Sequence, residues 1–199
     1  AVNGDRASES VGRRIDGVYR AAYQSANKSV GVGLSYYGGH LRGSGVGPAY
    51  VSRDKDLLGL DAQYISPTGP FLLGEYLSGK YEQIQAFGEA KDAATNPTGL
   101  GTVYAPGNKV EGYYIQGGFT FGKKTARPLT LFASYDVLKR NKDNSAYDDE
   151  NVGGGVLYNL DSATRLRLYY VKPSKVAHVP GTPDPAKVGL TTAEVQFKF

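Results

Sequence analysis

The sequence contains no cysteine, no methionine and no tryptophan, and its histidines number two, His40 and His178. Without cysteine there is neither a disulfide scaffold nor a thiol nucleophile, a usage that suits passage through an oxidising periplasm. His40 falls at a strand end and His178 in a loop, and no serine or carboxylate pattern marks either as a catalytic base. The chain therefore reads as no enzyme, and no cofactor or metal is called for. Runs of apolar residues stay well short of the roughly 18–20 that a membrane-spanning helix needs. Basic runs are missing too: the net charge of +4 is spread along the chain, with no aromatic-basic signature of nucleic-acid binding. The first residues, Ala-Val-Asn-Gly-Asp-Arg, lack the apolar core of a signal segment.

What is present is glycine, tyrosine and alternation. The 199 residues include 27 Gly, 16 Tyr and 7 Phe. Tyrosine has an apolar body and a polar tip, so tyrosines near strand ends suit a water boundary. The ending Thr-Thr-Ala-Glu-Val-Gln-Phe-Lys-Phe sets Ala193, Val195, Phe197 and Phe199 on one face and Glu194, Gln196 and Lys198 on the other.

Eight earlier segments follow that pattern, giving nine strands in all. The first, Arg13 to Tyr23, opposes Ile15, Tyr19, Ala21 and Tyr23 to Arg14, Asp16 and Arg20. The second covers Ser29 to Gly38. The third, Asp56 to Ser66, sets Leu58, Leu60, Ala62 and Tyr64 against Asp61 and Gln63. In the fourth, which runs to Tyr81, Leu72 and Tyr76 oppose Glu75, but Phe71, Leu73 and Leu77 share the face of Glu75 and blur the period. The fifth, Glu111 to Phe121, carries Gln116 on its polar face. The sixth, Leu129 to Arg140, carries Thr130, Ser134, Asp136 and Arg140 there. The seventh covers Asn151 to Leu160, and the eighth, Arg165 to Lys172, puts Arg165 and Arg167 opposite Leu166, Leu168 and Tyr170.

The connections alternate short and long from Gln24–Lys28 to Pro173–Leu190, which puts short turns on one rim and long loops on the other. Outer-membrane barrels are built this way, with tight periplasmic turns and long extracellular loops. The strand lengths match the roughly 9–11 residues a tilted spanning strand needs. The expected fold is thus an all-β, transmembrane, antiparallel up-and-down β-barrel in the outer membrane of a Gram-negative bacterium. Its apolar face would meet outer-membrane lipid. Val195, Phe197 and Phe199 on the last strand would be the signal read by the barrel assembly machinery. Bacterial barrels have even strand numbers, and a nine-strand count places the first strand's start on the extracellular side. The expectation is a single β-barrel domain over residues 1–199 that forms the C-terminal portion of a longer barrel of about sixteen strands. A tenth strand within Glu82 to Val110 is the competing account.

Ordered along the chain, Gly-Pro-Phe-Leu-Leu-Gly-Glu-Tyr-Leu-Ser-Gly at 69–79, Ala-Ser-Tyr-Asp at 133–136 and Arg-Leu-Arg-Leu-Tyr-Tyr at 165–170 accompany Gly-Tyr-Tyr-Ile-Gln-Gly-Gly-Phe at 112–119 and the ending at 191–199. In these residues the chain resembles the C-terminal half of the phosphate-selective porin O and P family. The resemblance implies a homotrimeric, many-stranded channel with a loop-constricted pore and basic residues that attract anions. The basic loop cluster of a phosphate filter is not recognisable in this sequence.

By alternation the pore lining is Arg14, Asp16, Arg20, Asp61, Gln63, Glu75, Gln116, Asp136, Arg140, Arg165, Arg167, Glu194 and Lys198. Its charges nearly balance. The Arg165 and Arg167 pair could favour small anions or phosphate, or these residues could simply bridge neighbouring strands. Asp148-Asp149-Glu150 could hold calcium or be a solvated loop. Gly31-Val-Gly33 and Gly153-Gly-Gly155 sit inside strands and read as close-packing positions, not phosphate loops. A non-conducting barrel that acts as an anchor or adhesin through its long loops, and a soluble β protein, are the other two readings.

Overall fold

The computed structural model describes residues 17–42, 52–87, 100–104, 107–125, 127–178 and 185–197. Eleven strands follow in order: β1 Gly17–Gln24, β2 Val30–Arg42, β3 Ser52–Ile65, β4 Pro70–Tyr81, β5 Gln83–Phe87, β6 Leu100–Tyr104, β7 Lys109–Phe121, β8 Leu129–Lys139, β9 Asp148–Asn159, β10 Thr164–Lys175 and β11 Leu190–Phe197. Nine of them form one antiparallel meander, β1-β2-β3-β4-β7-β8-β9-β10-β11. Among the described residues the sheet is open, with β1 and β11 at its edges. No helix among these residues is long and apolar enough to cross a membrane, which leaves crossing by strands untouched.

Short turns force the pairings β1–β2, β3–β4 and β9–β10. At the β1–β2 turn the Asn27 carbonyl accepts the Ser25 and Ser29 hydroxyls at 2.8 and 2.7 Å, and Lys28 takes the left-handed conformation at φ 57°. At the β3–β4 turn Gly69 sits at φ 129°, where a Cβ would stand 2.6 Å from the Thr120 carbonyl on β7. Only glycine fits there. The β9–β10 turn is closed by Asp161, whose carboxylate accepts the Ala163 and Thr164 amides at 2.7 and 2.6 Å. Those bonds, the Ala163 amide first, hold its carboxyl below the usual carboxylate range.

Several expected boundaries move. The tenth strand sought within Glu82 to Val110 is instead a hairpin, β5 with β6, forming its own two-stranded sheet apart from the meander. Its alternation is too short to have registered. Asp148-Asp149-Glu150, read as loop, opens β9, because Asp148 pairs with Lys175 at 2.9 Å and Asp149 with Arg140 at 2.5 Å. Pro173 to Lys175, also read as loop, extend β10 through a register irregularity. The rim pattern is looser than expected as well, since connections 122–128 and 140–147 are nearly equal in length.

The meander is one layer, and among the described residues none of its large side chains is fully buried. Among the described residues the buried apolar positions are Val110, Phe132 and Val137 on its strands, with Tyr147 and Ala177 in the connections beside them. A sheet with an apolar face must bury that face against something, and no second layer of this chain covers it among the described residues.

Candidate functional site: the two faces of the sheet

Register places the expected outward residues that are described on one face; Ile15 and Phe199 lie outside the described residues. Ala21, Leu34, Leu60, Ile115, Leu131 and Leu168 lie along its middle, and Leu60 and Leu168 are 48% and 53% exposed. Toward the long-loop rim stands a row of tyrosines: Tyr19, Tyr36, Tyr76, Tyr113, Tyr135 and Tyr170. Toward the short-turn rim stands another aromatic row: Tyr23, Tyr64, Phe119, Phe121, Tyr158 and Phe197. Tyr113 lies four residues into β7 and Phe121 ends it, roughly 26 Å apart along the strand and about 20 Å apart across a layer at the usual tilt.

The upper tyrosines point their hydroxyls outward from the band. Tyr36 donates to Asp56 at 3.2 Å, Tyr76 to Glu111 at 3.4 Å and Tyr135 to Glu150 at 3.2 Å, each acceptor lying closer to the long-loop rim. Glu111 also receives the Lys139 and Lys142 ammonium groups at 2.8 and 2.7 Å. Of the expected assembly signal, Val195 and Phe197 are exposed on this face, and Phe199 lies outside the described residues.

The opposite face is polar, and it is crossed by long side chains that lie over glycines. The Arg20 guanidinium reaches Asp61 at 2.8 Å across β2, over Gly33, where a Cβ would stand 2.6 Å from the arginine nitrogen. Arg167 meets Glu194 at 3.8 Å on the neighbouring strand and lies 5.3 Å over the Tyr169 ring. Arg165 donates to Asn159 at 3.0 Å. Arg140 donates its Nε to Asp149 at 2.8 Å, and Asp136 accepts the Asn151 amide at 2.7 Å. Gln116 accepts the Tyr114 hydroxyl, and Gln63 folds over Gly31.

Glu75 is exposed and makes no ion pair or side-chain hydrogen bond among the described residues. One cross-strand row brings together Gly33, Asp61, Glu75, Tyr114, Asp136 and Asn151. Arg14, Asp16 and Lys198 lie outside the described residues. The structure thus engages both Arg165 and Arg167 with neighbours on the sheet.

The alternation missed several inward aromatics. Phe132 stacks on Tyr169 with centroids 5.6 Å apart, and the two rings cover Gly155 and Gly153 on the strand between them. Tyr169 reaches on to the Ser134 hydroxyl, 3.1 Å away. Phe71, which the alternation already put on the face of Glu75, lies over Gly118. The readable signal was glycine directly or diagonally opposite each ring, since an aromatic covers what a glycine leaves bare. The consequence is a thin polar layer: long side chains lie along the sheet instead of standing up from it.

The acidic triplet is accounted for within the fold: Lys175, Arg140 and the Tyr135 hydroxyl take Asp148, Asp149 and Glu150 in turn. Among the described residues no three His, Cys, Asp or Glu side chains are grouped to hold a metal. No protein-family model, curated protein or solved structure matches this chain.

Proposed function

We propose that this sheet is the wall of an outer-membrane β-barrel and that the barrel is a porin, a water-filled channel for passive diffusion of small ions and solutes. The observation that carries the reading is the apolar face: an aliphatic band between two aromatic rows, with the upper hydroxyls turned away from the band. Aromatic girdles flanking a band of roughly 25 Å are what a lipid-facing barrel surface requires. In water, a single-layer face of this size would be a large exposed apolar patch.

Two features favour an open lumen over a plugged one. Glycines at Gly31, Gly33, Gly118, Gly153 and Gly155 put no side-chain volume on the polar face, and the aromatics and Arg20 lie flat over several of them. A small barrel fills its interior with side chains, whereas one of about sixteen strands leaves a channel. Strand parity points the same way. In a nine-strand meander the two edge strands run in the same direction, so joining β1 to β11 would make one parallel pair among antiparallel ones. Closure as an antiparallel barrel would take an odd number of further strands, and seven would give the roughly sixteen that leave an aqueous channel. On this reading the lipid face contacts the outer membrane and β11 presents Val195 and Phe197 to the assembly machinery. Homotrimer formation follows from the resemblance.

Anion or phosphate preference is the further element the resemblance implies. On the polar face it would draw on Arg165 and Arg167, whose present partners are neutral Asn159 and, at 3.8 Å, Glu194.

Planar-bilayer recording of the full-length protein tests the reading. Discrete conductance steps support a porin. A protein that inserts, migrates heat-modifiably and passes no current supports the anchor reading instead, and failure to insert overturns both. Reversal potentials before and after Arg165→Glu with Arg167→Glu test the anion preference, and an unchanged potential sinks it.

A further inference from the structure

The blurred period of the fourth predicted strand has a structural meaning. Leu77 on β4, Leu57 on β3, Val110 on β7 and Leu138 on β8 all point to the polar face near the long-loop rim, where alternation calls for polar residues. They surround a cavity of about 260 Å³. The cavity exists because Gly79 separates Leu57 from Val110 in one cross-strand row and Gly112 separates Leu77 from Leu138 in the next. Gly79 is forced by the β3 backbone, since a Cβ there would stand 2.8 Å from the Leu57 Cα. At Gly112 a Cβ would make only ordinary contacts, 3.4 Å from the Val137 carbonyl and 3.7 Å from the Leu138 Cδ1, so a side chain is accommodated there.

A cation stands at one end of this apolar floor. The Lys55 ammonium lies 4.7 Å from the Tyr37 ring centroid and 5.4 Å from that of Tyr81, and among the described residues it has no carboxylate partner. Two aromatic faces hold the charge in place without neutralising it. At the far end Arg140 closes the wall, its guanidinium engaged by Asp149. Apolar floor, one fixed uncompensated ammonium and room for a single small ring or short chain define a ligand class.

We propose that the polar face carries here a subsite for a small amphiphilic anion, an aromatic or short aliphatic monocarboxylate. Its apolar body lies on Leu57, Leu77, Val110 and Leu138, and its carboxylate meets Lys55. The proposal rests on the reading of this face as the channel lumen. It gives that channel a solute preference beyond simple sieving: a phosphate-like ion has no apolar body to use the floor, and a neutral ring has no charge for Lys55.

Titration calorimetry on the full-length protein, folded in lipid nanodiscs, tests it with benzoate, benzamide and acetate. Saturable benzoate binding, weaker binding of the neutral isostere benzamide and the weakest binding of acetate, whose single methyl uses little of the apolar floor, are expected. Lys55→Gln should weaken benzoate about ten- to hundredfold and leave benzamide unchanged. Gly112→Leu, whose Cβ would stand in ordinary contact at 3.4 Å from the Val137 carbonyl and whose branched end fills the cavity, should abolish both. Equal binding of benzoate and benzamide by the unaltered protein overturns the proposal even if Lys55→Gln fails to fold. No benzoate binding, or benzoate binding that survives Gly112→Leu, overturns it also. Conductance recorded separately keeps the two claims apart, since a conducting protein that ignores benzoate loses only the subsite, and a benzoate-binding protein that conducts nothing loses the channel.

Discussion

Arg20 on β1 and Asp61 on β3 are joined at 2.8 Å across an intervening strand, over the bare backbone of Gly33. Both side chains are partly exposed, so the pair is worth little as a stabilising contact, about 0–1 kcal/mol. Its effect is on the field of the polar face, where each charge cancels the other. Asp61→Asn should leave stability within about 0.5 kcal/mol while freeing the Arg20 charge. The reversal potential in a salt gradient should then move toward anions, and the charge-swapped pair Arg20→Asp with Asp61→Arg should return it. A potential unmoved by either variant would show that this pair does not face the conducting path.

Glu75 provides the complementary case, since it is exposed on the same cross-strand row and has no partner among the described residues. Glu75→Gln should shift the potential toward anions without the swap rescue that Asp61 allows. The same variant should unfold at an unchanged urea concentration.

Face assignment is testable through stability. Arginine placed on the lipid side at Leu168 or Ile115 should cost about 2–4 kcal/mol, the usual penalty near a bilayer midplane. Gln116→Arg, one residue along β7 from Ile115 but on the polar face, should cost under about 1 kcal/mol. Urea-dependent folding into lipid vesicles measures both. Equal costs on the two faces would remove the lipid assignment.

Gly118 makes a sharper steric prediction. A Cβ there would stand 2.7 Å from the Phe71 ring, so Gly118→Ala should destabilise by about 1–3 kcal/mol. The backbone of β8 is also close, so adding Phe71→Ala should recover only part of that loss. Full recovery would mean that ring contact alone selects glycine.

The Asp161 turn should respond to pH with a definite sign. Its carboxyl is held below the ordinary range by the Ala163 and Thr164 amides, so the stabilisation is present above the unfolded carboxyl's range and is lost as pH falls through the lower, folded value. Hydrogen exchange at the Ala163 and Thr164 amides, corrected for intrinsic rates, should lose protection on acidification. In Asp161→Asn that pH dependence should vanish.

How far the sequence could be read depended on whether a residue's partner was near or distant. The apolar side chains of β7 and β11 announce themselves because alternation is local: Ile115 against Gln116 and Val195 against Glu194 need no knowledge of the neighbouring strands. The turns at Gly69 and Asp161 were legible for the same reason. Asp148 and Asp149 were misplaced into a loop because the groups that draw them into β9, Lys175 and Arg140, are distant in sequence. Phe132, Phe71 and Leu138 broke the two-face rule, since what permits an inward apolar residue is a glycine on an adjacent strand, at Gly155, Gly118 or Gly112. Register, which brings such pairs together, is not written in either strand alone. The blur at Leu77 was a real signal, marking where the polar face stops being polar, whereas Leu73 sits between Gln63 and Gln116.

The central claim, that one face meets lipid and the other water, is tested most directly by a single-cysteine scan along β10, which the absence of native cysteine leaves free of background. Cysteine would be introduced in turn from Arg165 to Tyr170 in the protein inserted into vesicles, then challenged with a water-soluble and a lipid-soluble thiol reagent. The account predicts a period of two: positions 165, 167 and 169 react with the water-soluble reagent, and 166, 168 and 170 with the lipid-soluble one. Uniform reaction of all six positions with the water-soluble reagent would contradict it.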